Sequence, residues 1–277
     1  MVIRLVAVCG LLLGFLAWPP RVVEGEAAPP AAAIAGELAE YMQAQVADHH
    51  FSGAVLVAQN GKILLAKGYG FANLEWRIPN TPQTRFRIGS LTKQFTATLI
   101  MQLREAKLVD LQNSICKYLD PCVDAWQSVT LSHLLSHTSG IAGYGDKPDP
   151  KSHSIPPWTA AQIAVSFRDR PLEFAPGTKW KYSDWGYVLL GMVIEKVTAK
   201  PYATVLQERI FGPLGMKDSG YDLSEDILMQ RAAGYRLLDK RLVNADYIDM
   251  RGPFSAGALR SPSCGLRSSA TTAMGGW

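Results

Sequence analysis

Several motifs that mark common enzyme classes are absent from this sequence, and each absence removes a function from consideration. The chain contains no G-x-S-x-G nucleophile elbow, no G-x-x-x-x-G-K phosphate loop, no H-E-x-x-H zinc motif and no G-x-G-x-x-G dinucleotide fingerprint. Only four cysteines are present, and no pair of them is matched by histidines at zinc-binding spacing. The sequence therefore predicts no metal site and no organic cofactor.

Concentrated charge of one sign is also missing. The net charge is +4 over 277 residues, and the basic residues do not gather into a stripe or cluster. Because a nucleic-acid-binding surface needs such a cluster, we expect no nucleic acid among the partners. Hydrophobic residues make up 48% of the chain and charged residues 19%, which is typical of a globular domain with a substantial core.

The chain begins with an apolar run that is too short to cross a bilayer comfortably. This run of 14 residues, Leu5–Trp18, follows Arg4 and precedes the small-x-small triplet Gly25–Ala27. A membrane span needs about 20 apolar residues, whereas the shorter length suits a signal peptide. We predict a signal peptide over residues 1–27, export to the periplasm or the outside, and no stable membrane span after cleavage. An uncleaved membrane anchor is the alternative.

The pattern of the remaining chain predicts a single α+β domain over residues 28–277. Asn60-Gly61 separates two runs rich in Val, Ile and Leu and predicts a hairpin with strands near 53–58 and 62–69. The spacing of apolar residues predicts four helices, which cover about residues 34–46, 91–106, 185–197 and 202–210. This order of a helix, a hairpin and further helices favours α+β over an alternating parallel sheet.

Two Ser-x-x-Lys pairs, Ser90–Lys93 and Ser114–Lys117, are candidates for nucleophilic catalysis. Ser90 opens a predicted helix, where residues three apart share a face, so the Lys93 amine can reach the Ser90 oxygen. A lysine activates a serine only in its neutral form, which burial and the positive end of a helix favour. Ser114 lies close to Pro121 and is typical of a turn or short cap. From the residues alone, a plain helix N-cap is the simpler interpretation of Ser90.

Three longer segments carry a family resemblance that separates these alternatives. They are Phe86–Lys93 (FRIGSLTK), Leu131–Ile141 (LSHLLSHTSGI) and Pro176–Met216 (PGTKWKYSDWGYVLLGMVIEKVTAKPYATVLQERIFGPLGM). In this order they resemble the serine beta-lactamase-related hydrolases, a superfamily that includes class C beta-lactamases, D-Ala-D-Ala peptidases and family VIII esterases. The resemblance covers about residues 35–260.

This resemblance implies an antiparallel sheet flanked by helices, a helical subdomain over about residues 90–220, and an active site between them. It assigns Ser90 as the acylated nucleophile, Lys93 as its base and Tyr182 as a second proton carrier. The implied substrate is a small molecule or peptide with an amide, lactam or ester bond, namely a beta-lactam, a D-Ala-D-Ala peptide or an ester. His137 matches a structural loop and is placed outside the catalytic set.

The sequence departs from the family pattern at Asp184, where the Tyr-x-Asn motif usually has asparagine. We expect Asp184 to occupy this substrate-binding position. A carboxylate that faces Lys93 stabilises the charged amine and weakens the lysine as a base. Asp184 also precedes a predicted helix, so the alternative role is its N-cap.

A second departure concerns the third family motif, Lys-Thr-Gly or His-x-Gly, which has no counterpart after Ser261. The resemblance implies roughly 80–100 further residues beyond that point, so we expect a C-terminally truncated domain with an incomplete sheet and little hydrolase activity. The alternatives to a serine hydrolase are an inactive relative and a non-catalytic protein that binds cell-wall peptides.

Two cysteines form a candidate disulfide. Cys116 and Cys122 lie six positions apart around a proline, and the predicted export brings them into an oxidising compartment. The sequence therefore predicts a small disulfide-closed loop, with two free thiols as the alternative. Cys264 has no evident partner.

Overall fold

The computed structural model describes residues 31–48, 51–143 and 159–263. The predicted signal peptide and Cys264 lie outside these residues. Within them, no helix combines the length and apolar character that a membrane crossing requires. No cluster of three or more metal-ligating side chains occurs in the same part of the chain.

Helices dominate the described chain. The α-helices are α1 (Ala31–Ala47), α2 (Thr92–Glu105), α3 (Leu131–Leu135), α4 (Ala160–Arg168), α5 (Asp184–Thr198), α6 (Tyr202–Leu206) and α7 (Phe254–Gly257). Single turns of 3-10 helix cover Gly89–Leu91, Ile115–Lys117 and Asp124–Trp126, and a π-helical turn covers Gln207–Phe211. The four predicted helices are therefore present, although the one expected over 202–210 changes from α to π geometry halfway.

The predicted hairpin consists of β1 (Gly53–Gln59) and β2 (Lys62–Tyr69), which pair antiparallel with Gly53 opposite Tyr69. Asn60 and Gly61 form its turn, and both have positive φ values, 49° and 76°. Positive φ at both central residues is the requirement of the tight hairpin turn that Asn-Gly favours. Helix α1 packs against β2, so the N-terminal helix covers the hairpin.

The described residues contain seven further strands, which the sequence did not predict. They are β3 (Phe71–Asn73), β4 (Ile78–Pro79), β5 (Phe86–Arg87), β6 (Gly220–Tyr221), β7 (Tyr235–Leu238), β8 (Arg241–Asn244) and β9 (Leu259–Ser261). They form two more antiparallel pairs, β3–β4 and β7–β8, and one three-stranded sheet in the order β5-β9-β6. Strands of two to four residues are too short to show an alternating pattern, which explains why they were missed.

The core is built around α5. Its buried residues include Val188, Leu189, Leu190, Val193 and Ile194, so apolar side chains surround most of this helix. A helix that is apolar on all sides belongs in the interior, with other helices packed around it. Helices α2, α3, α4, α6 and α7 all contact α5.

Helix α2 lies against this core on the side that leads to Ser90. Its predicted apolar stripe, Phe95, Leu99 and Leu103, is buried. The buried stripe fixes the rotation of α2 about its axis, and therefore fixes where the residues at its first turn point. The α+β class predicted from the sequence is confirmed, with helices and small antiparallel sheets.

Candidate active site

Ser90 lies in a tight turn immediately before α2. Gly89 has a φ of +52°, a left-handed conformation that glycine adopts without the steric cost of a side chain. The Ile88 N–H donates to the Leu259 carbonyl at 2.9 Å, which ties the turn to strand β9. Ser90 then forms the middle of the 3-10 turn Gly89–Leu91 and is exposed. The turn thus presents the hydroxyl at the surface, two residues before α2 begins at Thr92.

The Ser90 hydroxyl oxygen accepts two hydrogen bonds from the residues that the sequence had placed beside it. Lys93 Nζ donates to Ser90 Oγ at 3.1 Å, across less than one helical turn. Tyr182 Oη donates to the same oxygen at 2.7 Å from the segment that precedes α5. The structure therefore brings Ser90, Lys93 and Tyr182 together, although 92 positions separate Ser90 from Tyr182.

Lys93 is buried and has an acceptor for each of its three ammonium protons. Besides Ser90 Oγ, its Nζ donates to Asp184 Oδ1 at 2.7 Å and to the Ala256 carbonyl at 2.8 Å. Its side chain is only 8% exposed. The ring of Tyr182, with its centroid 4.8 Å from Nζ, covers the amine from another side. Three oxygens and an aromatic face therefore surround the amine.

Asp184 faces Lys93 and is not the N-cap of α5, so that alternative was wrong. The cap is Ser183, whose Oγ accepts the Gly186 N–H at 3.1 Å. Serine and aspartate are about equally good caps, so Ser183 was an equally good candidate that the sequence prediction passed over. With Ser183 in the capping position, the Asp184 carboxylate is free to bind the lysine.

The Ala256 carbonyl is a member of the site that the sequence analysis missed. It lies on α7, a helix of four residues that is held between α2 and α5. Thr96 Oγ1 on α2 donates to the Ser255 carbonyl at 2.7 Å, and Ser255 Oγ donates to the Tyr187 carbonyl of α5 at 2.7 Å. A backbone carbonyl has no side-chain signature, so no motif could have found it.

A glycine on α5 makes this close approach of α7 possible. A Cβ at Gly191 would lie 2.0 Å from Ser255 Oγ and 2.6 Å from a ring atom of Phe254. Real side chains do not tolerate such distances, so any larger residue at this position displaces α7. Gly191 therefore sets the position of the carbonyl that Lys93 binds.

His137 lies against the tyrosine of the site. Its ring centroid is 4.6 Å from that of Tyr182, and its Nδ1 accepts the Ser183 N–H at 3.1 Å. Burial, and then the positive charge of Lys93, lower the pKa of His137 below its ordinary value of 6.5. The sequence placed His137 outside the catalytic set, and its contacts are with Tyr182 and the backbone that carries it.

The second Ser-x-x-Lys pair has the structural role expected of it. Ser114 caps the 3-10 turn Ile115–Lys117, and its Oγ accepts the Cys116 N–H at 3.2 Å. Cys116 and Cys122 are joined by a disulfide in the structure, with their Cα atoms 5.3 Å apart. This disulfide closes the loop that follows Ser114.

An α+β fold that holds a serine, a lysine and a tyrosine in hydrogen-bond contact is the arrangement of penicillin-binding and beta-lactamase-like proteins. The chain belongs to the beta-lactamase family, since the sequence profile described as Beta-lactamase matches residues 38–274. This match extends past Ser261, so the end expected for the family similarity was too early.

Three known proteins show the range of the similarity. Teichoic acid D-alanine hydrolase of Staphylococcus aureus is 31% identical over 196 residues, which are 71% of this chain and 46% of that protein. The octameric penicillin-binding protein homologue of Pyrococcus abyssi is 31% identical with a TM-score of 0.72, over 86% of this chain and 55% of that one. D-amino acid amidase of Ochrobactrum anthropi SV3, complexed with D-phenylalanine, is 27% identical with a TM-score of 0.71, over 84% and 69%.

The chain spans about half the length of the curated relatives that it matches. The similarity therefore shows the family and the fold of the matched part.

Proposed function

We propose that this protein is a serine hydrolase that cleaves amide, lactam or ester bonds through an acyl-enzyme on Ser90. The observation that carries the proposal is the position of Ser90 Oγ, which accepts hydrogen bonds from Lys93 Nζ at 3.1 Å and Tyr182 Oη at 2.7 Å. A serine becomes a nucleophile when groups within hydrogen-bond reach can take its proton. Both groups lie within that reach.

In the proposed reaction the Ser90 oxygen attacks a carbonyl carbon and displaces an amine or an alcohol. The proton of Ser90 passes to the Lys93–Tyr182 pair and then to the leaving group, so charge and atoms balance. Water attacks the acyl-enzyme in the second half and returns Ser90 to its starting state. The positive end of α2 and its preceding 3-10 turn lies at Ser90, where negative charge develops on the substrate oxygen.

The Asp184 contact bears on which member of the pair accepts the proton. A charged Lys93 ammonium beside a neutral Tyr182 phenol cannot accept a proton. To act as a base, the Lys93–Tyr182 pair must therefore first lose one proton from this state. Asp184 Oδ1 lies 2.7 Å from Lys93 Nζ and stabilises the ammonium. We infer that in the reacting state the missing proton is that of Tyr182. Its oxygen, which donates to Ser90 in the structure, then accepts the Ser90 proton while Lys93 stabilises it as a cation.

The relatives suggest which bonds to test first. One is named for the hydrolysis of D-alanine from teichoic acid and another for D-amino acid amides. Both names describe an acyl group that is a D-amino acid, joined in one case to teichoic acid and in the other to an amide nitrogen. We therefore propose D-aminoacyl esters and amides as the first substrates, ahead of beta-lactams and simple esters.

We propose further that residues 28–277 form one exported domain. The leader-like run at the N-terminus supports export, and so does the disulfide between Cys116 and Cys122, because disulfides persist in oxidising compartments. The partners in this proposal are small-molecule or peptide substrates, which can reach the exposed Ser90.

A non-catalytic protein that binds cell-wall peptides is the second candidate function. The specific observation in its favour is the Lys93 ammonium, which has all three of its protons donated to oxygen atoms. A site locked in that state would bind a carbonyl group without activating Ser90. Covalent chemistry at Ser90 separates the two candidates.

The test is labelling with a fluorescent fluorophosphonate, which reacts with activated serines. Because a single acylation is enough for a label, we expect the wild-type chain to be labelled even where turnover is low, and Ser90→Ala to lose the label entirely. Lys93→Ala, which removes the cation beside Ser90 and Tyr182, should be labelled at least about a hundredfold more slowly. Ser114→Ala is the matched control, because Ser114 also precedes a lysine by three residues but caps a turn. It should be labelled at the wild-type rate.

An unlabelled wild-type chain would contradict the hydrolase and favour the binding protein. Loss of labelling in Ser114→Ala, with Ser90→Ala still labelled, would contradict the choice of nucleophile. If labelling occurs at Ser90, the rates at which the chain hydrolyses D-alanine amide, nitrophenyl acetate and nitrocefin then rank amide, ester and lactam bonds as substrates.

A further inference from the structure

His137 makes three separate contacts with the short segment that carries Tyr182. Its carbonyl accepts the Lys181 N–H at 3.0 Å, and its Nδ1 accepts the Ser183 N–H at 3.1 Å. Its ring lies against the ring of Tyr182, with 4.6 Å between centroids and 32° between planes. The residues on both sides of Tyr182, and its own ring, are therefore in contact with one histidine.

Two further aromatic rings contact the histidine. The ring of Tyr187, on α5, lies 5.2 Å from that of His137, and the Trp180 ring meets it edge-on at 6.1 Å. The Tyr187 hydroxyl donates to the Leu135 carbonyl at 3.0 Å, which connects the cluster to α3. The backbone of His137 is left-handed, with a φ of +58°. A non-glycine residue in this conformation is uncommon, and here it turns the ring toward the Tyr182 segment.

We infer that His137 is a positioning residue that holds the Tyr182 hydroxyl on Ser90, and that it does so only as a neutral imidazole with its proton on Nε2. The inference rests on the proposed function, since it gives Tyr182 a part in the reaction. His137 itself acts through Tyr182 and is not a catalytic residue.

The requirement for neutrality follows from the hydrogen bond at Nδ1. A backbone N–H is only a donor, so Nδ1 must be an acceptor and the imidazole proton must lie on Nε2. A second proton on Nδ1 would turn two donors toward each other and break the bond to Ser183. Movement of the Tyr182 segment would then lengthen the 2.7 Å contact between Tyr182 and Ser90.

The charged and titratable groups that face His137 are Lys93 on α2, Asp184 and Tyr187 on α5, and Tyr182. Lys93 opposes protonation of the imidazole, whereas Asp184 favours it. Burial is the largest influence, and together with Lys93 it lowers the pKa of His137 below 6.5. The neutral form therefore predominates at neutral pH in the folded protein.

The sign of the pH effect follows from this direction. Between the lowered pKa and 6.5, the unfolded chain binds more protons at His137 than the folded chain does. The stability contributed by the neutral imidazole is complete above pH 6.5 and declines as the pH falls through that interval. Correct placement of Tyr182 is lost once the pH falls below the pKa of folded His137.

The test compares the rate of fluorophosphonate labelling in three chains across pH 4.5–8.5. His137→Asn keeps an acceptor oxygen near the Nδ1 position and tolerates the left-handed backbone, but it has no ring and no proton to gain. Its labelling at pH 8 should be about tenfold slower than that of the wild type. The acid inactivation of labelling should involve the uptake of one proton fewer than in the wild type, because the variant lacks the titrating imidazole.

The matched control is His133→Asn. His133 also accepts a backbone N–H at Nδ1, from Thr130 at 3.2 Å, but it does so in the capping box of α3. The same substitution there should leave both the rate and the acid profile of labelling as in the wild type. A purely structural role for His137 would lower the melting temperature of His137→Asn without changing its acid profile. That result, or a wild-type rate, would overturn the inference.

A second measurement keeps the inference independent of the proposed reaction. The imidazole ¹⁵N resonances of His137 should show the proton on Nε2 at pH 7.5 and a midpoint of titration below 6.5. A proton on Nδ1 at that pH would overturn the inference even in a fully active protein. If the wild-type chain is not labelled but His137 shows the expected resonances, the proposed hydrolase activity is contradicted. The neutral, Nε2-protonated state inferred for His137 is then still supported.

Discussion

Replacement of Asp184 by asparagine is the sharpest test of how the Ser90 site is charged. The carboxylate oxygen lies 2.7 Å from Lys93 Nζ, and the side chain of Asp184 is 34% exposed while that of Lys93 is 8% exposed. The Lys93–Tyr182 pair must lose one proton before it can act as a base. The negative charge of Asp184 opposes this loss, so its removal makes the loss easier. Activity should therefore extend to lower pH in Asp184→Asn.

The magnitude follows from Coulomb's law. Two unit charges at this distance interact by about 1.5 kcal/mol in water and about 6 kcal/mol at an effective dielectric constant of 20. Because Asp184 is a third exposed, we take about 2 kcal/mol. One pH unit corresponds to about 1.4 kcal/mol. Division of the interaction energy by this value predicts that the pH of half-maximal labelling falls by about one to two units.

The assay is the fluorophosphonate labelling rate of Ser90 as a function of pH, measured together with the melting temperature. Asparagine retains an oxygen that can accept from Lys93, and Ser183 remains the helix cap, so the melting temperature should change little. Glu208→Gln is the matched control: it breaks an ion pair with Lys200 of the same length, 2.7 Å, in which both side chains are about half exposed. It should leave the pH profile unchanged.

An unchanged pH profile in Asp184→Asn would refute this reasoning. If the melting temperature fell at the same time, Asp184 would have only a structural role. A shift of the profile to higher pH would also refute it, because it would show that the carboxylate assists the loss of the proton.

Two further predictions concern stability. Reduction of the bond between Cys116 and Cys122 should raise the mass of the exported protein by two hydrogen atoms and lower its free energy of unfolding by about 2 kcal/mol, the modest value for a short loop; an unchanged mass would contradict the bond. Gly191→Ala places a Cβ 2.0 Å from Ser255 Oγ, and should lower the free energy of unfolding by about 1–3 kcal/mol in urea titrations while slowing the labelling of Ser90. Gly36→Ala, at an exposed position of helix α1, meets nothing within 4 Å and should raise the free energy of unfolding by about 0.5–1 kcal/mol. Equal effects of the two alanines would contradict the role given to Gly191.

The parts of the fold that the sequence predicted are those in which one local rule decides the outcome. Asn60-Gly61 has the two positive φ values that its hairpin turn requires. Phe95, Leu99 and Leu103 recur at helical spacing and are buried on one face of α2. The short strands β5, β6 and β9 escaped prediction because each contains only two or three residues and pairs with a partner more than 35 positions away.

The site shows the same division between local and long-range information. Ser90 and Lys93 are adjacent on a helix, so their spacing alone indicated that they could meet. The resemblance, and not the spacing, brought in Tyr182 from 92 positions away. The sequence offered Asp184 as a possible helix cap, whereas the structure gives the cap to Ser183 and turns Asp184 toward Lys93.

What the motifs did not contain is the set of oxygens around the lysine amine. Two of these oxygens lie outside the Ser-x-x-Lys pair, one on Asp184 and one on the backbone of Ala256, 163 positions away from Lys93. The carbonyl reaches Lys93 only because α7 fits against Gly191, so the chemistry of the amine depends on helix packing in the core. In the proposed mechanism, the Ser-x-x-Lys motif thus predicts which atom attacks, whereas the segments that close around the lysine decide which base receives its proton. The contacts of Lys93 with Asp184 and Ala256 support the Tyr182 oxygen in that role.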